Sequence, residues 1–323
     1  MSAPDPAVSL TRNAVSRFLK ADETWSHLKG HIAVACSGGA DSLALAAATI
    51  HHARKVGLTV HGLVVDHGLQ KDSAETAHKA ADQLHQLGAQ PQVISVTVGT
   101  QGGPEAAART ARYQALRANL PAGALCLLGH TQDDQAETVL LGLGRGSGPR
   151  SIAGMRPLTP PWGRPFLEVT RRATEAACAA LGLTPWQDPH NSDPAFTRVR
   201  VRTEVMPLLE DVLQQGVAAA LARTAAQLQE DADALDDLAV WILQGAVEGA
   251  TLSVEAVTGA HPAVRRRVLR AWLHRAGVSS LTDLHLRGVD ALVGDWRGQG
   301  PVALPGGLDV ARTHGRLHVT TKQ

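Results

Sequence analysis

The sequence predicts an α/β protein, a doubly wound and mostly parallel sheet followed by a second, mainly helical domain. Three observations predict it. Short apolar runs alternate with longer helical patterns from His31 onward, which is the rhythm of βαβ units. Those runs are continuous in Val, Ile and Leu instead of alternating, as strands buried on both faces are. From about Met206 the composition turns Ala-rich and helical, and 323 residues are too many for one ordinary domain.

In chain order, residues 1–30 read as an N-terminal helical segment, 31–208 as the sheet domain, and 209–323 as a mainly helical domain. HIAVAC is a strand feeding a helix from Asp41, and TVHGLVV feeds one from Ser73. QVISVTV precedes a helix from Pro104, and ALCLLGH one from Asp133. Beyond Arg145, GSGPRSIAGMRPLTPPWGRPF carries the Gly and Pro of a loop or short hairpin, and a helix spans about Thr170 to Leu181. Three amphipathic helices follow, Gln215 to Glu248, Pro262 to Ala276 and Thr282 to Trp296, with Trp241, Trp272 and Trp296 expected in their packing. The tail reads as two short strands around a turn.

Composition narrows the function classes. Hydrophobic residues at 44% and charged residues at 19% exclude a disordered chain. The net charge of +1 leaves a nucleic-acid partner open, but nine arginines lie between Gly144 and Arg202 against Glu168, Glu175, Asp188 and Asp193. Cys36, Cys126 and Cys178 make neither a CxxC pair nor a disulfide framework, which fits a reducing cytoplasm. No run of about 18 apolar residues occurs, so a cytoplasmic protein without membrane contact is expected. A homodimer is compatible with the sequence, which carries no direct sign of oligomeric state.

Ligands of such sheets sit at the carboxyl ends of strands. That rule selects Ser37 to Ser42, Asp66 to Gly68 and His130 to Glu137. In Ser37-Gly38-Gly39-Ala40-Asp41-Ser42, two glycines allow a tight turn that presents backbone N–H groups, and the following helix adds its positive N-terminal end. Such a loop holds a pyrophosphate. Asp41 is an anion, so its presence there suggests Mg²⁺ bridging carboxylate and phosphate. A Walker lysine is missing. The plainer account is a strand-to-helix turn capped by Asp41 or Ser42, but a cap needs one such residue, not six.

The i, i+4 spacing brings Asp133 near Glu137, and i, i+3 brings Asp134 near it. Such carboxylates can receive an ammonium, hold a metal or take a proton; acids in a first helical turn also simply favour the dipole. Arg109 and Arg112 share a helical face, and Arg265, Arg266 and Arg267 form a basic patch on a helix; RNA phosphates or plain solvation account for either.

SGGADS matches the fingerprint of the PP-loop ATP pyrophosphatases in full, and the chain resembles that superfamily. Within it, Val65-Asp66-His67-Gly68-Leu69, Glu105 through Arg109 to Arg112-Tyr113, Gly129-His130 through Asp133-Asp134 to Glu137-Thr138, and Arg145-Gly146-Ser147-Gly148 are similar to the tRNA(Ile)-lysidine synthetase family, in that order, from about His31 to Pro207. In DPHNSDPAFTRVRVR, Phe196 and Val199 replace the family's Tyr and Asn, and only Arg198 is carried over.

The resemblance implies an adenine nucleotide alpha hydrolase-like fold and an ATP-dependent ligase. Lysine would be joined to carbon 2 of the wobble cytidine of an isoleucine tRNA with a CAU anticodon, through an adenylated cytidine. ATP, Mg²⁺ and free L-lysine are implied with it. ATP would contact Ser37 to Ser42, Val65, Asp66, His67, His130 and Arg145, and lysine would contact Asp133, Asp134 and Glu137. Asp41, Arg112 and Glu137 are the expected catalytic residues, with Asp41 the metal ligand. Arg109, Arg112, Arg198, Arg202 and Arg265 to Arg267 would meet the tRNA. Two alternatives remain: another PP-loop enzyme acting on RNA or a small acid, and a nucleotide-binding regulatory module that turns nothing over.

Overall fold

A computed structural model describes residues 4–21, 30–68, 72–99, 103–146 and 148–321. Residues 22–29 of the expected N-terminal segment lie outside the described residues, as do Leu69 and Ser147 of the quoted motifs and the side chain of Glu105. The chain divides into two compact units, Met1–Ala226 and Gln227–Gln323.

The first unit runs α1 (Pro6–Ala21), β1 (His31–Ala35), α2 (Ala40–Val56), β2 (Thr59–Asp66), α3 (Ser73–Leu87), β3 (Gln90–Ser95), α4 (Pro104–Ala118), β4 (Cys126–Leu127) and α5 (Gln132–Arg145). It continues with α6 (Pro149–Ile152), β5 (Leu158–Thr159), β6 (Trp162–Gly163), α7 (Arg171–Ala180), α8 (Thr197–Arg200) and α9 (Met206–Leu213). A π-helical turn at Val201–Val205 joins α8 to α9, and α10 (Val217–Ala246) follows.

The sheet order is β3-β2-β1-β4-β6-β5. All pairs are parallel except β5 with β6, the hairpin expected around Pro160 and Pro161. Ile32, Ala33 and Val34 are wholly buried in succession, so β1 is covered on both faces, and this is why its apolar run does not alternate. The chain leaves β1 in one direction toward β2 and β3, then returns to lay β4 on β1's other edge. The crevice between the carboxyl ends of β1 and β4 is therefore the topological switch point of the sheet.

Helix α2 is buried on most of its circumference through Leu43, Ala44, Leu45, Ala46, Ala48 and Ile50. Its alanines let α1 and α7 pack closely against it. Complete burial of Leu43 and Leu45 stabilises the unit by about 2 kcal/mol each.

The second unit adds β7 (Val247–Glu248), β8 (Thr251–Ser253), α11 (Val254–Thr258), α12 (Pro262–Arg275), α13 (Asp283–Gly294), β9 (Val302–Leu304), β10 (Leu308–Thr313) and β11 (Arg316–Thr321). Pro262 starts α12 at a position needing no N–H, and Thr282 caps α13. The expected tail strands, β10 and β11, pair antiparallel within a five-stranded sheet, β7-β8-β11-β10-β9. The three partner strands are two or three residues long, too short to show a periodic pattern. Residues 209–226 belong to the first unit, later than the 208/209 boundary, because helical composition alone does not reveal which core a helix joins.

Two expectations for this unit are corrected. Trp272 is buried, but Trp241 is 73% exposed and takes no part in the core, while Trp296 lies under the Arg312 guanidinium at 5.0 Å. Arg265 to Arg267 do not form an open basic patch. Arg265 is buried, its Nε 2.6 Å from Asp290 Oδ1, with Arg266 Nη1 3.5 Å from the same carboxylate. Arg267 Nε pairs with Asp236 Oδ1 at 2.7 Å.

Arg265→Met leaves Asp290 buried with only Arg266 beside it. Urea denaturation is expected to show a loss of about 3 kcal/mol, the lower end for breaking a buried pair, with most of it recovered in Arg265→Met/Asp290→Leu. No loss would mean that this pair does not hold the unit together.

Candidate active site

The first wall of the switch point is the turn after β1. Gly38 has φ of 84°, the left-handed region where a side chain is strained, and its carbonyl accepts from Trp186 N at 2.9 Å. Ser42 Oγ donates to Gly39 O at 2.9 Å and accepts from Ser37 N at 3.2 Å. Ser37 to Ser42 thus close on themselves ahead of the N-terminus of α2. Gln83 on α3 braces the segment carrying Trp186, donating to Thr184 O at 3.1 Å and accepting from Thr184 N at 3.0 Å. Neither contact has a local signature in the sequence.

The second wall is the start of α5. Thr131 caps it in a capping box: Asp134 N donates to Thr131 Oγ1 at 3.4 Å, and Thr131 N donates to Asp134 Oδ2 at 2.9 Å. The two walls meet at Gly129, where an added Cβ would lie 3.0 Å from the Asp41 carbonyl carbon and 3.1 Å from Ser42 N. Any side chain there would press on the backbone at the start of α2, so glycine suits the close passage of the chain beyond β4.

Between the walls, one arginine ties four acids together. Arg171 opens α7, capped by Thr170, and its backbone N donates to Asp133 Oδ2 at 2.8 Å. Its Nη2 lies 3.0 Å from Asp134 Oδ1 and 3.6 Å from Glu137 Oε1, and its Nε 3.7 Å from Asp41 Oδ2. Thr174, one turn on, donates to Asp41 Oδ1. Glu137 is buried and gripped by Arg202, Nε to Oε1 at 2.7 Å and Nη2 to Oε2 at 3.2 Å, with Arg198 Nη1 3.9 Å away. Arg171 and Thr174 were not among the residues expected from the sequence, since no short motif contains them.

These contacts set the titration of the cluster. Burial pushes the Asp41 carboxyl up to about 6, against Thr174 and Arg171, and the nearby Asp134 and Asp133 add to the rise. Burial acts the same way on Asp134, but Arg171 and the Thr131 bonds outweigh it and hold that carboxyl low.

The basic residues gather on the β4–β6 side. Arg109 and Arg112 lie over the Tyr113 ring at 4.9 and 5.5 Å, and Tyr113 meets Trp162 edge-on at 4.9 Å. Among the described residues neither arginine pairs with a carboxylate. His130 and His67 each bury an Nδ1 with no partner. Burial, reinforced by Arg164, Arg112 and Arg109 against Asp134, pushes His130 down to about 3; burial and Arg112 lower His67.

Val65 and Asp66 end β2, and Asp66 Oδ1 accepts from Gly68 N at 2.9 Å, so this motif forms an Asx turn at the same end of the sheet. Arg145 is not brought to the cluster: it ends α5, about 18 Å along the helix from Asp133. Arg202 and Arg198, expected on RNA, instead serve Glu137. The thiols are inert, since burial raises Cys36 and pushes Cys126 and Cys178 up to about 12.

Comparison with known proteins agrees with this geometry. Residues 10–209 match the model of the PP-loop domain, and residues 252–318 that of the TilS substrate binding domain. A tRNA(Ile)-lysidine synthase of Nocardia farcinica is 56% identical over 320 residues, covering 95% of this chain and 96% of that one. Another, of Rhodococcus erythropolis, is 52% identical over 321 residues, covering 97% and 95%. A U34-tRNA thiolase from Methanococcus maripaludis superposes with a TM-score of 0.55 at 16% identity, over 69% of this chain and 80% of its own, a likeness of fold alone.

With its pKa at about 3, the His130 imidazole is expected to stay neutral from pH 5 to 9 in nitrogen-15 NMR. Unfolded chains bind a proton at this residue below about 6.5, so its contribution to stability is lost as pH falls from there toward 3. A midpoint near 6 in the folded protein would contradict the burial argument.

Proposed function

The chain belongs to the tRNA(Ile)-lysidine synthase family, and from that membership we propose how its own residues carry the family's reaction. The enzyme uses ATP to join lysine to carbon 2 of the wobble cytidine of tRNA(Ile), through an adenylated cytidine, releasing pyrophosphate and AMP. The carbonyl oxygen on carbon 2 attacks the α-phosphate and pyrophosphate leaves. The lysine ε-amine then attacks carbon 2, and the C–O bond breaks with AMP as leaving group. Both steps rest on positioning and on neutralising charge.

The observation that carries the assignment is the pairing of two unlike walls across one crevice. The Ser37-to-Ser42 turn offers backbone N–H groups and the start of α2 to the departing pyrophosphate. Val65, Asp66 and His67 end the neighbouring strand and border the nucleotide. Arg112, half-buried and without a carboxylate partner, offers its charge to the phosphate under attack. His130 stays neutral and offers an unpaired Nδ1 to the substrate.

Lysine recognition follows from charge balance. Among the described residues Arg171, Arg198 and Arg202 pair with Asp134 and Glu137, whereas Asp133 receives only the Arg171 backbone N–H, which leaves its charge for the lysine ammonium. Asp133 Oδ1 is the carboxylate oxygen that bonds to no described residue, and it is the natural acceptor. Asp134 and Glu137, already saturated by arginines, hold the lysine subsite in shape.

Mg²⁺ fits this site through Asp41. Among the described residues no three His, Cys, Asp or Glu side chains gather into a ready cage. Mg²⁺ on nucleotides needs none, since one or two carboxylates with phosphate oxygens suffice. A carboxyl raised by burial and by neighbouring acids is one that a cation would stabilise. When bound, the ion would neutralise charge building on the phosphates.

Purified protein with Mg²⁺-ATP and unmodified tRNA(Ile) bearing CAU is expected to release AMP only when lysine is present, with the lysine mass gained at one cytidine. Asp41→Asn should reduce that release by more than a hundredfold with circular dichroism unchanged; an unchanged rate removes the metal assignment. Asp133→Asn should raise the lysine KM about tenfold and spare tRNA-dependent adenylate formation, and an unaltered KM would return lysine binding to Asp134 and Glu137.

A further inference from the structure

One cation at the end of a sheet strand has no place in the account above. β6 lies parallel to β4 with Gly163 opposite Leu127, and Leu128 N donates to Gly163 O at 2.8 Å. Arg164 follows Gly163, so its side chain begins at the same end of the sheet as His130. It is held in place from behind: its backbone N donates to Pro157 O at 2.7 Å, and its Nη1 to Arg156 O at 2.9 Å. Its Nε is buried with no partner, and among the described residues no carboxylate pairs with it.

A second arginine with no carboxylate partner among the described residues, Arg112 on α4, also acts on His130. Arg112 lies over Tyr113, and Tyr113 stands edge-on to Trp162, two residues before Arg164. The charges of both arginines act on His130, whose Nδ1 is buried and unbonded. Bracing the β5–β6 hairpin accounts for Arg164 Nη1 and leaves Nε and Nη2 unexplained. Guanidiniums kept partly out of water without a counter-charge are costly, and an anion with several oxygens removes that cost.

We infer that Arg164 forms a subsite for one phosphate group, the backbone phosphodiester beside the target cytidine of the tRNA, apart from the phosphate under attack that Arg112 serves. The inference rests on the reading that this crevice adenylates an RNA base. Position separates the subsite from the pyrophosphate loop: strands lie about 4.8 Å apart, and β6 is two strands from β1, so about 10 Å divides them. The other source of a phosphate within reach is the ATP chain itself. With Nη1 held by Arg156 O, the Arg164 guanidinium presents its remaining N–H groups from a fixed position, which a lysine on a flexible stem would not.

The test is tRNA binding from 50 to 200 mM KCl for wild type, Arg164→Gln, Arg164→Lys and Arg112→Gln, with the ATP KM of each. Arg164→Gln is expected to bind tRNA about tenfold more weakly, with the slope of log K against log salt shallower by about 0.7, one single-strand phosphate contact. Arg164→Lys should restore the slope and part of the affinity, a pattern that simple loss of hairpin bracing would not give. The ATP KM of Arg164→Gln and Arg164→Lys should stay within twofold of wild type. A raised ATP KM with unchanged tRNA slope assigns the phosphate to ATP and overturns the RNA subsite. No change in either overturns the proposal, and Arg112→Gln then reports on the broader reading: loss of AMP release there leaves it standing, and silence sinks both. One measurement needs no variant. An anticodon stem-loop with a neutral methylphosphonate at either phosphate flanking the cytidine should bind wild type about tenfold more weakly at one position, and equal binding at both refutes the subsite.

Discussion

Arg171 is the interaction on which the site depends. Four carboxyl groups from two different helices converge on one side chain and its backbone N–H: Asp41 of α2, and Asp133, Asp134 and Glu137 of α5. Without it, four acids in a half-buried crevice would repel one another and take up protons, as Asp41 begins to do even in its presence. Arg171 can stand there because α7 is fixed on both sides. Thr170 caps its first turn through Ala173 N, and Ala177 and Cys178 bury its opposite face among α1 and α2. The packing of small residues on α2 therefore sets the electrostatics of the crevice. A shift of α7 would be felt as a change in charge, not only in volume.

The same arrangement explains why so many arginines appear in one stretch of chain. Read as a linear pattern, the basic run from Arg145 to Arg202 resembles an RNA-facing surface. Folded, Arg171, Arg198 and Arg202 turn inward to acids, and Arg200 pairs with Glu204 beside it on the surface. Buried ion pairs of this kind add little net stability against apolar packing. What they supply is position: Glu137, with 1% exposure, is held by Arg202 at both its oxygens.

Much of the first unit was legible because its signals are local. A continuous apolar run such as Ile32 to Val34, followed by two glycines and a helix, specifies strand, turn and helix without reference to the rest of the chain. Parallel pairing made the ends of β1 and β4 neighbours and so brought Asp41 near Asp133 to Glu137, as the order of elements implied. What was not legible depends on long-range contact. Arg171 and Thr174 meet Asp41 from 130 and 133 residues away, and Gln83 meets Thr184 from 101. Arg265 looked like its neighbours in sequence, and only the placement of Asp290 on the facing helix shows that it is internal. Trp241 was misplaced for the converse reason: a tryptophan in a helical pattern signals burial only if some element covers that face.

The crevice is polarised, and this bears on the order of chemistry. Acids and their arginines occupy the α2–α5–α7 side, while Arg109, Arg112, Arg164 and the His130 imidazole occupy the β4–β6 side. An ammonium is drawn to the first and repelled by the second, and for phosphates the preference is reversed. Groups of opposite charge are therefore drawn to opposite sides of the strand end without competing for the same partners. Gly129 lies between the two sides, where the close passage of β4 by α2 leaves no room for a side chain. Keeping that passage narrow holds the carboxylates of α5 close to the Ser37-to-Ser42 turn, so the charged cluster and the turn share one crevice without a strand having to move.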